Sequence, residues 1–144
     1  MKYAYLIVFV ILSNTCFAQS QNDSVFIIKT SLDYIEGFYE SDSIRVSTAI
    51  HEDLAKRIIF KNDSGFQLIK NMGASELIKR TVSQRRKQVT SHQNFEAVIS
   101  ILDISHDIAT VKITQNIMPF FDYVHLGKVN GQWKIINVLW ARLE

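Results

Sequence analysis

A single cysteine, Cys16, removes disulfide scaffolds from consideration for this 144-residue chain. One proline and five glycines argue against a disordered or repeat-built protein. Neither sign of charge dominates: 16 Lys+Arg stand against 14 Asp+Glu, a net charge of +2. That balance gives no reason to expect nucleic acid or a membrane surface as partner. No phosphate loop, dinucleotide fingerprint or Ser-His-Asp order is present. His51 precedes Glu52 and Asp53, but no second histidine stands at ligand spacing from it, so neither a metal nor a cofactor is expected. What remains is ordinary globular composition, 47% hydrophobic and 21% charged, at a length that suggests one domain.

The N-terminus has the form of an export signal. Lys2 supplies a positive residue, and Tyr3–Leu12 an apolar run too short to span a bilayer. Cys16-Phe17-Ala18 places small residues at −3 and −1, which predicts cleavage after Ala18. The predicted organisation is a signal peptide over 1–18 and a single domain over 19–144, exported to the periplasm or secreted. Cleavage there removes Cys16, and with it any thiolate chemistry. The alternative, a lipoprotein modified at Cys16, meets a poor fit at Ser13 and Thr15.

Helical periodicity comes first. Val25, Ile28, Leu32, Ile35 and Tyr39 recur at helical spacing behind the N-cap candidates Asp23 and Ser24. They predict about four turns. Gly37 lies near the end, where a small residue lets another element approach. Ser41-Asp42-Ser43 is a break and a new N-cap before a short helix over 44–50. An apolar run over 54–60 follows, interrupted by Lys56 and Arg57, and then a turn over 61–65. Residues 66–72 read as a short strand or as irregular. Ser75 caps a third helix from about Glu76. Lys79, Arg80, Arg85, Arg86 and Lys87 form a basic cluster, read as a solvated helix end because no aromatics interleave it.

The second half alternates as strands. Segments 95–104 and 108–117 flank Ser105-His106-Asp107, and Met118-Pro119 breaks the chain before Phe120. Asn130-Gly131 marks a type I′ hairpin turn, with β-branched, aromatic and apolar arms. A strict period of two gathers Phe121, Tyr123, His125, Ile136, Val138 and Trp140 on one face. It gathers Val124, Leu126, Trp133, Ile135 and Leu139 on the other, with Asp122 and Asn137. Both faces are largely apolar, so something must cover each. Helices first and an antiparallel meander second make the chain α+β.

Three stretches carry a resemblance: residues 32–42 (LDYIEGFYESD), residues 51–57 (HEDLAKR) and the hairpin over 122–140. They resemble the putative lumazine-binding proteins of the nuclear-transport-factor-2-like superfamily, which also holds SnoaL-like polyketide cyclases and ketosteroid isomerases. The resemblance covers nearly the whole mature chain. It implies a cone: a strongly curved antiparallel sheet around the first helix, an apolar pocket between them, and often a homodimer through the outer sheet face. It also implies a tyrosine oxyanion donor, matched by Tyr34, with a second donor near His125 and a pocket tryptophan at Trp140. The general-base carboxylate of the isomerases would fall near Ile58 or Ile59, where none stands.

The expected pocket comprises Tyr34, Phe38, Tyr123, His125 and Trp140, with Tyr34 and His125 the candidate catalytic groups. Each also reads as an ordinary core tyrosine and a strand histidine. The resulting expectation is an exported domain that binds a small apolar or aromatic molecule without turnover. The alternatives are a SnoaL-like or isomerase-like enzyme on a small carbonyl compound, and a structural domain with a filled core. Fold alone does not choose among them.

Overall fold

The structure, a computed structural model, describes residues 22–84, 94–117 and 119–143. The stretch read as a signal peptide, together with Arg85, Arg86, Lys87 and Met118, lies outside the described residues. Among the described residues three helices precede or interrupt a six-stranded sheet. Helix α1 covers residues 22–40, α2 Ser43–Ala49 and α3 Ala74–Gln84. The strands are β1 (Ile50–Lys61), β2 (Gln67–Gly73), β3 (Ala97–Ser105), β4 (Ile108–Gln115), β5 (Phe120–Val129) and β6 (Gln132–Arg142). Their order is β2-β1-β6-β5-β4-β3. All pairings are antiparallel except β1 with β6, which run parallel. The architecture is the α+β curved sheet over N-terminal helices that the sequence predicts.

Helix α1 buries Ile27, Ser31, Tyr34 and Ile35. The true inner stripe is offset from the one read by periodicity: Val25 and Ile28 are 62% and 37% exposed. Polar residues on the inner side disguised it. Ser31 is fully buried and donates back to the Ile27 carbonyl at 2.8 Å. Asp23 lies within the helix, and its carboxylate is committed elsewhere in the fold. At the far end Ser41 takes φ 61°, and the Asp42 amide donates to the Gly37 carbonyl at 2.9 Å, closing a Schellman motif. Asp42 then caps α2 by accepting from the Arg45 amide at 2.9 Å. A Cβ on Gly37 would stand 3.1 Å from Val46, so the small residue sets how closely α2 approaches.

The hairpin departs from the expected register beyond Leu126. Leu126 pairs with Ile135, but His125 pairs with Asn137, Val124 with Val138 and Asp122 with Trp140. Ile136 is the extra residue of a β-bulge. Gly127 leaves room for it, since a Cβ there would fall 2.6 Å from Ile136 Cδ1. The bulge therefore puts Val138 and Trp140 on one side with Val124 and Asp122, not with Tyr123 and His125. Val124, Leu126, Trp133 and Ile135, expected outside, are core residues at 0–5% exposure; only Leu139 of that set is exposed. Further register shifts lie between Ile50 and Ala55 of β1 and between Ile101 and Asp103 of β3. Bulges of this kind bend and twist the strands they interrupt, which curves the sheet around α1.

Candidate functional site

Strand alternation carries two charged residues to the concave side. Lys56 shares the inward face of β1 with Leu54, and Asp122 shares that of β5 with Val124 and Leu126. Tyr34 reaches them from α1. Its hydroxyl donates to Asp122 Oδ2 at 2.8 Å. Lys56 Nζ donates to the Tyr34 oxygen at 2.6 Å and lies 3.3 Å from both Asp122 oxygens. Asp122 has no exposed surface, Tyr34 has 2% and Lys56 9%. Trp140 closes the group from β6, its ring centroid 5.2 Å from Lys56 Nζ.

The electrostatics follow from burial. Loss of water pushes the Lys56 ammonium below the usual lysine range, and Asp122 works against that shift. Burial pushes the Tyr34 hydroxyl well above its ordinary value, and the Asp122 charge adds to it. Tyr34 is thus a neutral phenol between a cation and an anion. Each charge has the partner that makes its burial tolerable. Tyr39 stands nearby, stacked on Phe95 at 4.0 Å between centroids. Its hydroxyl is buried with no hydrogen-bond partner among the described residues, and burial with the Asp122 charge pushes it up to about 12.

A cavity of about 600 Å³ opens beside this trio. Tyr34, Phe38, Lys56, Phe120 and Trp140 line its interior, while Leu77, Arg80 and Ser83 come from one face of α3. Arg142 of β6 completes it. Of the five residues expected there, Tyr34, Phe38 and Trp140 meet at the cavity. Tyr123 and His125 do not. Tyr123 is 39% exposed and packs edge-on against Phe121. His125 Nδ1 lies 3.0 Å from the Asn137 side-chain amide on the convex side. The bulge at Ile136 is the cause.

Sequence reasoning missed Lys56 and Asp122. A signal existed for both: each is a charged residue in step with apolar neighbours on a strand. The inward carboxylate thought to be missing is present, on β5 instead of near Ile58. Its two donors occupy it, however, and no solvent reaches it. His51 stays local, with Nδ1 3.2 Å from the Asp53 amide. Among the described residues no cluster of His, Cys, Asp or Glu is arranged to hold a metal. No described helix is long and apolar enough to cross a membrane.

Residues 22–141 match the family described as putative lumazine-binding. The chain belongs to that family. The comparison with curated proteins found no match. Solved structures place the putative lumazine-binding domain among NTF2-like folds. It is similar to an NTF2-like protein of unknown function from Silicibacter pomeroyi, with TM-score 0.68, 13% identity, and 85% of this chain and 98% of that one covered. It is similar to a ketosteroid isomerase-like protein from Erwinia carotovora atroseptica, with TM-score 0.57, 15% identity, and 83% and 95% covered. A third likeness is to a putative scytalone dehydratase from Novosphingobium aromaticivorans, with TM-score 0.59, 15% identity, and 89% of each chain covered. At such identities the likeness concerns the fold.

Proposed function

We propose that this domain binds a small apolar or aromatic molecule in the cavity beside α1, without turning it over. The observation that carries this reading is the make-up of the cavity. Aromatic walls, Phe38, Phe120 and Trp140, surround one interior charged donor, Lys56, already balanced by Asp122. Apolar walls with few polar groups are what small-molecule sites commonly present. Turnover by proton transfer needs a base that can reach the substrate. Asp122 is the one inward carboxylate of the trio, and Tyr34 and Lys56 both cover it. A cavity of this size also weighs against a core filled by its own side chains.

One observation favours the enzymatic alternative. Ketosteroid isomerases pair a tyrosine with a protonated aspartate, and Tyr34 and Asp122 form such a pair at 2.8 Å. Lys56 separates the two readings by geometry. Lys56 Nζ and the Tyr34 hydroxyl both donate to Asp122, which leaves it the acceptor of the trio and not a donor aimed into the cavity.

The test is thermal unfolding of wild type and Trp140→Ala with flavin-like, pterin-like and steroid-like compounds. A ligand at one hundred times its Kd should stabilise wild type by about 2.7 kcal/mol. Trp140→Ala should lose most of that gain. Absence of any shift in wild type across all three classes would overturn the binding reading.

Export and self-association belong to the same proposal. Protein recovered from the exporting host should begin at Gln19. A homodimer would use the convex sheet face, where Tyr123 and Leu139 are exposed and Phe121 lies beside them. Light scattering should give twice the monomer mass; a monomer at high micromolar concentration would exclude it.

A further inference from the structure

Charge around the cavity is lopsided. An adjoining groove of about 820 Å³ shares Lys56, Met72, Arg80, Trp140 and Arg142 with it and runs along the β1–β2 hairpin. Among the described residues the two spaces are bordered by Lys56, Lys61, Lys70, Arg80 and Arg142, and by no aspartate or glutamate. This excess is local, because the chain as a whole is nearly balanced.

The five cations are not equivalent. Asp122 neutralises Lys56 at the interior end. Glu76 holds Arg80 at 3.0 and 2.7 Å. Arg142 has no ion-pair partner among the described residues and is exposed on the last strand. Uncompensated positive charge therefore lies at the mouth, and aromatic surface lies within.

We infer that the ligand is an apolar organic acid. Its body lies among Phe38, Phe120 and Trp140, and its anionic group is held at the mouth by Arg142, with Arg80 beside it. Guanidinium groups suit this task, since their planar donors match an acid group in pairs and stay charged at any working pH. The inference rests on the binding reading above and names the ligand class for that site.

Two probes with the same aromatic body separate the charge from the pocket: anilinonaphthalene sulfonate and the neutral N-phenylnaphthylamine. Wild type should bind the sulfonate at least tenfold more tightly, and added salt should erode that preference because the mouth is exposed. Arg80→Gln with Arg142→Gln should abolish the preference while N-phenylnaphthylamine binds as before. Arg142→Lys should keep part of it. Decanoate or naphthoate should displace the sulfonate, and whichever does so more effectively tells whether the acid is aliphatic or aromatic.

Equal affinity for the two probes in wild type would overturn the charge inference and leave the binding reading standing. So would a preference that survives in the double variant. Loss of both probes in the double variant would also overturn it, because the arginines would then serve the fold. Failure of wild type to bind either probe would overturn both readings together.

Discussion

Two aspartates on the inner side of this fold are held by the same kinds of group. Asp23 of α1 accepts from Lys128 at 2.7 Å and from the Trp133 indole at 3.0 Å. Asp122 of β5 accepts from Lys56 and from the Tyr34 hydroxyl. Each has one lysine and one aromatic donor, and Asp23 and Tyr34 are about 16 Å apart along α1 at the usual helical rise. Their surroundings differ. The side chains of Asp23 and Lys128 keep 12% and 20% of their exposure, those of Asp122 and Lys56 0% and 10%. The first trio ties the start of α1 to the hairpin and borders neither cavity. The second forms the wall of one. The same residue types serve as a tether at one end and as a cavity wall at the other. Desolvation and the empty space alongside decide which.

The largest expected effect separates the two trios by stability. Asp122→Ala leaves the Lys56 charge buried without a partner and should cost about 3–5 kcal/mol in urea unfolding. Asp23→Ala should cost about 1–2 kcal/mol, since Lys128 can turn to water. Equal losses would break the comparison. Replacing all three polar groups, as Lys56→Met with Asp122→Leu and Tyr34→Phe so that no buried hydroxyl is orphaned, should be neutral or stabilising by about 1–4 kcal/mol.

The two tryptophans divide in the same way. Trp133 is 5% exposed in the core, and Trp133→Ala should cost about 3–5 kcal/mol. Trp140 is half-buried with the cavity on one side, so Trp140→Ala should cost about half as much. Unfolding midpoints of the two variants check the order. A larger loss at Trp140 would make it a core residue and the cavity incidental.

A smaller effect comes from pH. The hydrogen bond from Lys128, then that from Trp133, holds the Asp23 carboxyl below its ordinary value. Its contribution is therefore fully present above the ordinary carboxylate pKa of about 3.9 and is lost as pH falls through the lower, folded value. Asp23→Asn should flatten that part of the acid limb of stability against pH. An unchanged limb would mean that other carboxylates set it.

Most of the architecture was legible because periodicity and turn chemistry are local. The Asn130-Gly131 turn, the Asp42 cap and the strand meander each follow from a few adjacent residues. The site was legible only in part. Tyr34, Phe38 and Trp140 lie on elements whose inward side the resemblance named, and they meet at the cavity. Tyr123 and His125 were placed by carrying one register along the whole hairpin, and Ile136 breaks it. A single inserted residue reverses every side chain beyond it. Gly127 was the one sequence hint, being the position that makes room for the bulge. Asp122 was correctly grouped with Val124 and Leu126, but that group was set on the wrong side of the sheet. Lys56 was passed over as an interruption, although its spacing from Leu54 puts it on the buried face.

The central claim is that the Trp140 end of the fold takes a ligand and the Trp133 end does not. Trp133 and Trp140 are the chain's two tryptophans. Fluorotryptophan labelling therefore gives each end one fluorine resonance, assigned with Trp140→Phe. Titration with N-phenylnaphthylamine should move the Trp140 resonance to saturation at one equivalent and leave that of Trp133 in place. Two unmoved resonances, or two that drift together without saturating, would contradict it.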